Sequence, residues 1–159
     1  MPRLSQKPRS NGAPTLIFVA GAALRVADVT RVLRKHRGEK GGEVAKLFAR
    51  HFKLQEHITY LNRTKVGVAV GTPARLGQLL ETGTVHSLNP FITSSSTAAT
   101  GALILTALTH IMLDISHRDA KQRSLMEIPE TRDEVFRRVL GDDNIRAALQ
   151  SGKIQLVLF

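Results

Sequence analysis

Two short stretches of the 159-residue chain carry residue types that could do chemistry. One is "LDISHRD", Leu113 to Asp119, where an apolar run closes on Asp114 and is followed by Ile115, Ser116, His117 and Asp119. A carboxylate at a strand end can hold a cation, and it can equally cap the turn that follows. Ser116, His117 and Asp119 also have the composition of a nucleophile, a base and an orienting acid. Adjacent Ser116 and His117 project differently from one backbone segment, however, and no glycine elbow presents a nucleophile. No catalytic residue is assigned. The other stretch is "VGTPARL", Val70 to Leu76. Thr72 followed by Pro73 is a helix start, and the free N–H groups of the first turn make it a ready anion site. Arg75 falls in that turn, where the helix dipole disfavours a cation. A phosphate bound between them would remove the conflict; a surface arginine tolerated at a small cost is the plainer alternative.

Composition narrows the chemistry further. The chain has no cysteine, which excludes a disulfide framework, a zinc finger and thiol catalysis. Its six histidines show no metal-ligand spacing, and His51 and His57 read as surface or half-buried residues. Neither a metal nor a cofactor is expected. No G-x-x-x-x-G-K-[ST] run occurs; "RGEKGGEV" has glycines and a lysine but lacks the spacing and a preceding strand. Phosphoryl transfer depends almost wholly on positioning and charge stabilisation, so little hydrolytic capacity is left. Lys and Arg number 23 against 13 acids, a net charge of +10. Such a balance argues for a polyanionic partner, usually nucleic acid and occasionally an anionic membrane surface. There is no apolar run of about 18 residues that could span a bilayer and no signal peptide. With one Tyr and no Trp, base-stacking platforms are not the obvious binding device.

The elements that must position these stretches alternate between short apolar runs and helical periodicity, the pattern of an α/β domain. "TLIFVA" (Thr15–Ala20), "EVAKLF", "KVGVAVG" (Lys65–Gly71), part of "ALTHIMLD" and "KIQLVLF" read as strands. A helix after the first strand places Val26, Val29 and Leu33 on one face, with Arg31, Arg34 and Lys35 off it. "LQEHITYLNR" spaces Leu54, Ile58 and Leu61 as a second helix. The helix opened by Thr72–Pro73 buries Leu76, Leu79 and Leu80 and takes Gly83 as its C-cap. Thr131 to Glu134 has the form of a capping box before Val135, Phe136, Val139 and Leu140. Asp142 can cap a last short helix that Gly152 ends. Right-handed crossovers between such strands give a mostly parallel sheet with helices on both faces. Residues 1–14, with three basic residues and no acid, read as a flexible tail. Residues 92–101, small and polar, read as a mobile loop within a longer segment reaching Thr106.

In an open parallel sheet, ligands gather outside the carboxyl ends of the strands. The order of "VAGAALR", "VGTPAR" and "LDISH" along the chain resembles motifs Ia, Ib and II of the first RecA-like domain of DEAD-box helicases. "LDISH" stands where "LDEAD" would stand, so Asp114, Ile115, Ser116 and His117 form a degenerate acidic box. Ile115 occupies the place of the water-ordering acid. "EVAKLFARHFKLQEH…VAVGTPARL…MLDISHRDAKQRSLMEIPETR" resembles a narrower group, the Cms family of DEAD-box-like ribosomal small-subunit biogenesis proteins, whose related segment reads "VAKLFAKHIKL". The resemblance implies a single degenerate RecA-like domain without a Walker A loop. By analogy it implies RNA-phosphate contacts at Thr72, Pro73, Arg75 and Arg25, although the arginine place of motif Ia falls at Ala23. It further implies a nucleolar, nuclear factor of the early 90S pre-ribosome. Its partners would be a ribosomal RNA precursor or small nucleolar RNA and pre-ribosomal assembly proteins, with no membrane and no small-molecule substrate. Two alternatives stay open: an RNA-remodelling enzyme completed by another segment or partner chain, and a module that docks only proteins.

Overall fold

The computed structural model describes residues 8–38, 41–85 and 102–159. Among them, five strands form one wholly parallel sheet in the order β2-β3-β1-β4-β5. They are β1 (Leu16–Val19), β2 (Glu43–Leu47), β3 (Val66–Gly71), β4 (His110–Leu113) and β5 (Gln155–Leu158). The helices are α1 (Ala23–His36), α2 (Leu54–Arg63), α3 (Pro73–Val85), α4 (Pro129–Glu134) and α5 (Asp143–Gln150). A π-helical turn, Val135–Val139, continues directly from α4. The apolar runs of β1 and β3 are buried throughout because an inner parallel strand has helices, not water, on its faces, whereas the edge strand β5 leaves Leu156 and Leu158 exposed.

Strand alternation divides the core in two. Ile17, Val19, Ala45, Leu47, Ala69, Ile111 and Leu113 face α2, α3, the π-helical turn and α5. Leu16, Phe18, Val44, Val68 and Val70 face α1 through Val26, Val29 and Leu33. Helices therefore lie on both faces, but α1 serves one of them alone. Packing is tight where α3 meets the π-helical turn: a Cβ at Gly77 would come within 2.5 Å of the Arg138 Cβ, so only glycine permits that approach.

Several expected boundaries shift. Residues 8–14 are part of the domain and not of a tail from Pro8 onward: Gly12 donates to Thr64 O at 2.9 Å, and Ile104 N–H donates back to Gly12 O at 2.8 Å. The same bond, with buried Ala102 and Leu103, fixes the end of the segment read as a longer loop; residues 92–101 lie outside the described residues. Gly83 is not a C-cap, since α3 continues to Val85. The box from Thr131 to Glu134 is not a helix start either. Pro129 opens α4 one turn earlier, where its missing N–H costs nothing, and the cap Ile128 has no side-chain oxygen. Phe136 is exposed, while Val135 and Val139 of the π-helical turn are buried. Asp142 does cap α5, accepting from the N–H groups of Asn144 and Ile145.

Candidate nucleic-acid interface

All five strands end at one edge of the sheet, and every residue singled out for chemistry lies along it. After β1 the chain leaves toward the α1 face, whereas after β3 and β4 it leaves toward the opposite face. A crevice beside β1 is where such a sheet ordinarily receives a ligand. Here an ion pair spans it: Arg25, in the first turn of α1, places Nε 2.6 Å from Oδ2 of Asp114. The Asp114 side chain is fully buried, and its other oxygen accepts from the Ser116 hydroxyl at 2.8 Å and the His117 N–H at 3.2 Å. Burial alone would raise the Asp114 pKa. The hydrogen bonds from Arg25 and Ser116, the Arg25 charge and the His117 N–H outweigh it and hold the carboxyl below its ordinary range.

Asp114 is thus both a turn cap and an ion-pair partner. The Ser116 hydroxyl is committed to Asp114, and Asp119 is taken by the guanidinium and N–H of Arg123 and the N–H of Lys121. Ser116, His117 and Asp119 do not assemble into a relay. Ile115 and Ser116 donate their N–H groups to Phe159 O, which ties this turn to the end of β5. Among the described residues no group of three or more His, Asp or Glu could hold a metal ion.

Two strands away the arrangement is different. β3 ends in Gly71, where a Cβ would meet Leu47 O at 2.7 Å, and Thr72 N–H donates to that same oxygen at 3.0 Å. Pro73 begins α3, with Leu76 N–H on Thr72 O. Arg75, expected at the surface, is only 5% exposed. Its side chain turns toward the start of α2, donating from Nη2 to Phe52 O at 3.0 Å and from Nη1 to Nδ1 of His57 at 3.0 Å. Its Nε has no partner among the described residues. This inward turn answers the helix-dipole conflict without a ligand, because a guanidinium carried toward a carbonyl and an imidazole is drawn off the N-terminal axis.

His57, read as surface or half-buried, is buried at 5% exposure. Burial, then the Arg75 charge, lowers its pKa to about 4 against a weaker opposing effect of Glu56. The ring is therefore neutral at physiological pH, with Nδ1 free to accept from Arg75. Phe52 stacks on it, centroids 5.3 Å apart, and meets Phe48 edge to face at 5.8 Å. Lys46 Nζ lies 5.5 Å from the Phe48 centroid and 5.6 Å from that of Phe52. Sequence reasoning missed this cluster. Its one visible signal was the density of cations: between Val44 and Leu80 stand six Lys or Arg and a single acid, Glu56.

A family model described as "CMS1: U3-containing 90S pre-ribosomal complex subunit" matches residues 1–159, the whole chain. The chain belongs to the CMS1 family. Protein CMS1 of Chaetomium thermophilum is 43% identical over 129 residues, 81% of this chain and 44% of its own length. Human Protein CMSS1 is 31% identical over 144 residues, 91% of this chain and 44% of its own length. The chain therefore spans less than half the length of these relatives. Among solved structures, the yeast DEAD-box splicing factor Prp28 is similar with a TM-score of 0.53 at 18% identity, over 92% of this chain and 27% of that one. That likeness establishes a DEAD-box RecA-like fold, as the motif order implied.

Proposed function

We propose that this CMS1-family chain is a non-catalytic, helicase-like half-module that acts as an RNA-associated scaffold in small ribosomal subunit assembly. The observation that carries the reading is the state of Asp114. Both its oxygens are satisfied from within the chain, by Arg25, Ser116 and His117 N–H, and Ile115 follows it where a water-ordering acid would be needed. A carboxylate so enclosed would have to give up an ion pair and two hydrogen bonds before it could take a cation. The fold is kept while the nucleotide chemistry is closed off.

The positive charge gives the fold its work. With a net +10 and an edge rich in cations, the module suits the phosphate backbone of an RNA such as a ribosomal RNA precursor or small nucleolar RNA. Thr72 and Pro73 offer the α3 N-terminus to a phosphate, while Arg75 and Arg25, both engaged inside the fold, act as supports of that edge. Membership in a family described as a 90S pre-ribosomal complex subunit supports pre-ribosomal proteins as neighbours and the nucleolus as the place of work.

Two measurements on the full-length protein test this. Purified protein is expected to show no RNA-stimulated ATP turnover above background; turnover abolished by Asp114→Ala would overturn the non-catalytic reading. A tagged protein is expected to sediment with early pre-ribosomal particles. Recovery only in light cytoplasmic fractions would contradict the scaffold role.

A further inference from the structure

The segment after β2, Phe48 to Lys53, holds features that the reading above leaves unused. Arg50, His51, Phe52 and Lys53 are consecutive exposed residues. Among the described residues, the side chains of Lys46, Arg50 and Lys53 form no salt bridge. His51 has φ 122°, a conformation that strains a non-glycine residue and that clusters at ligand sites. The strained turn is closed by bonds from the N–H groups of His51 (3.0 Å) and Phe52 (3.3 Å) to Ala49 O, and by the clamp of Arg75 on Phe52 O. What the strained turn achieves is the presentation of Phe52. Its ring is backed by His57, which in turn rests on Arg75, yet the residue remains 36% exposed.

We infer that Phe52, framed by Lys46, Arg50 and Lys53, is a platform on which a base of single-stranded RNA stacks, with His57 and Arg75 as positioning residues beneath it. The inference rests on the reading of the chain as RNA-associated and names the site and its ligand. Every base has a π-face, so an aromatic platform flanked by cations binds single strands with little regard to sequence. The Lys46 ammonium over Phe48 and Phe52 is a displaceable cover: a base can take its place on the rings while the ammonium turns to the adjoining phosphate. A duplex keeps its bases stacked inside and cannot use the ring. A single strand is therefore preferred. An acidic polypeptide would satisfy the cations but leaves the exposed ring without a planar partner.

The informative variant is Phe52→Ile, which keeps an apolar side chain at this place and removes the planar ring. Binding of the full-length protein to a fluorescein-labelled 12-nucleotide oligouridylate is followed by anisotropy, beside a duplex of the same length and polyglutamate. Stacking predicts that Phe52→Ile weakens single-strand binding roughly 5- to 150-fold without changing the salt slope. Phe52→Trp restores the affinity, and a 2-aminopurine base in the strand is quenched by wild type and not by Phe52→Ile. Arg50→Ala with Lys53→Ala flattens the log–log salt slope by up to about 1.4, near 0.7 for each phosphate released. Urea unfolding of each variant shows that it is folded. A wild type that binds RNA equally well as Phe52→Ile, or holds the duplex as tightly as the single strand, overturns the platform alone. A wild type that binds neither RNA, or only polyglutamate, overturns the RNA-associated reading and the platform with it.

Discussion

The turn after β4 and the turns after β2 and β3 occupy the same edge of one sheet and have opposite electrostatics. At the first, a buried carboxylate meets a guanidinium, a hydroxyl and an N–H, and both its oxygens have partners. At the second, the buried guanidinium of Arg75 has a carbonyl and a neutral imidazole, and among the described residues neither it nor Lys46, Arg50 or Lys53 around the exposed ring has a carboxylate partner. A closed circuit of charges serves the fold. A surplus of one sign, held in a strained turn, has a cost that an external anion offsets. The contrast teaches where to look: on the proposed reading, the position that carries the resemblance to a nucleotide site serves the fold, and the turns across β1 from it hold the binding capacity.

The largest expected effect lies at the closed end. Arg25→Ala strands the buried Asp114 carboxylate, and the loss of stability should be about 2–4 kcal/mol in urea unfolding, allowing for the partial exposure of Arg25. Replacing the pair together, Arg25→Met with Asp114→Leu, should recover part of it, since Ser116 and the His117 N–H still lose their acceptor. If the single variant costs under about 0.5 kcal/mol, the circuit is not what holds this turn.

pH separates the two ends. His57 has its pKa lowered from 6.5 to about 4 in the fold, so between those values the unfolded chain binds the proton and the folded chain does not. Its contribution to stability is therefore intact above pH 6.5 and falls by about 2–3 kcal/mol as the pH drops to 4. Asp114, held below its ordinary value of 3.8, keeps its contribution above that pH and loses it only as pH falls further. Stability curves of wild type, His57→Gln and Arg25→Ala should show the first limb removed by the former and the second reduced by the latter. Both limbs unchanged in His57→Gln would break the comparison.

These partners differ in how visible they were beforehand. The inner strands β1 and β3 were legible because a parallel sheet writes them as unbroken apolar runs, and α2 because Leu54, Ile58 and Leu61 keep a helical spacing. Asp142 was legible as a cap because its interaction is local. Pro129 was passed over in favour of the Thr131–Glu134 box because the true cap, Ile128, uses no side chain. The π-helical turn left no mark in the sequence, and the apolar pattern does not distinguish exposed Phe136 from buried Val135 and Val139. Arg75 was seen but not its direction: its partners Phe52 and His57 come from a segment about twenty residues earlier, brought alongside only when β2 and β3 pair. The Arg25–Asp114 pair spans 89 residues and depends on the sheet order placing β1 beside β4.

A smaller effect sharpens the open end. Arg75→Met keeps the bulk and removes a buried charge that has no carboxylate partner, so stability should change by less than about 1 kcal/mol, since relief of desolvation offsets the lost hydrogen bonds. Affinity for a single strand should still fall several-fold, because Phe52 O and His57 lose their clamp. A fall in stability matching the fall in binding would reduce Arg75 to a packing residue.

The most direct test is photo-crosslinking of full-length protein to labelled single-stranded RNA in the presence of ATP, with the attached residues mapped by mass spectrometry. Attachment concentrated between Lys46 and Arg75, and unchanged by ATP, is the predicted result. Attachment confined to the Asp114–Asp119 turn, or movement of the RNA on addition of ATP, would contradict the division of this edge into a closed nucleotide position and an open RNA position.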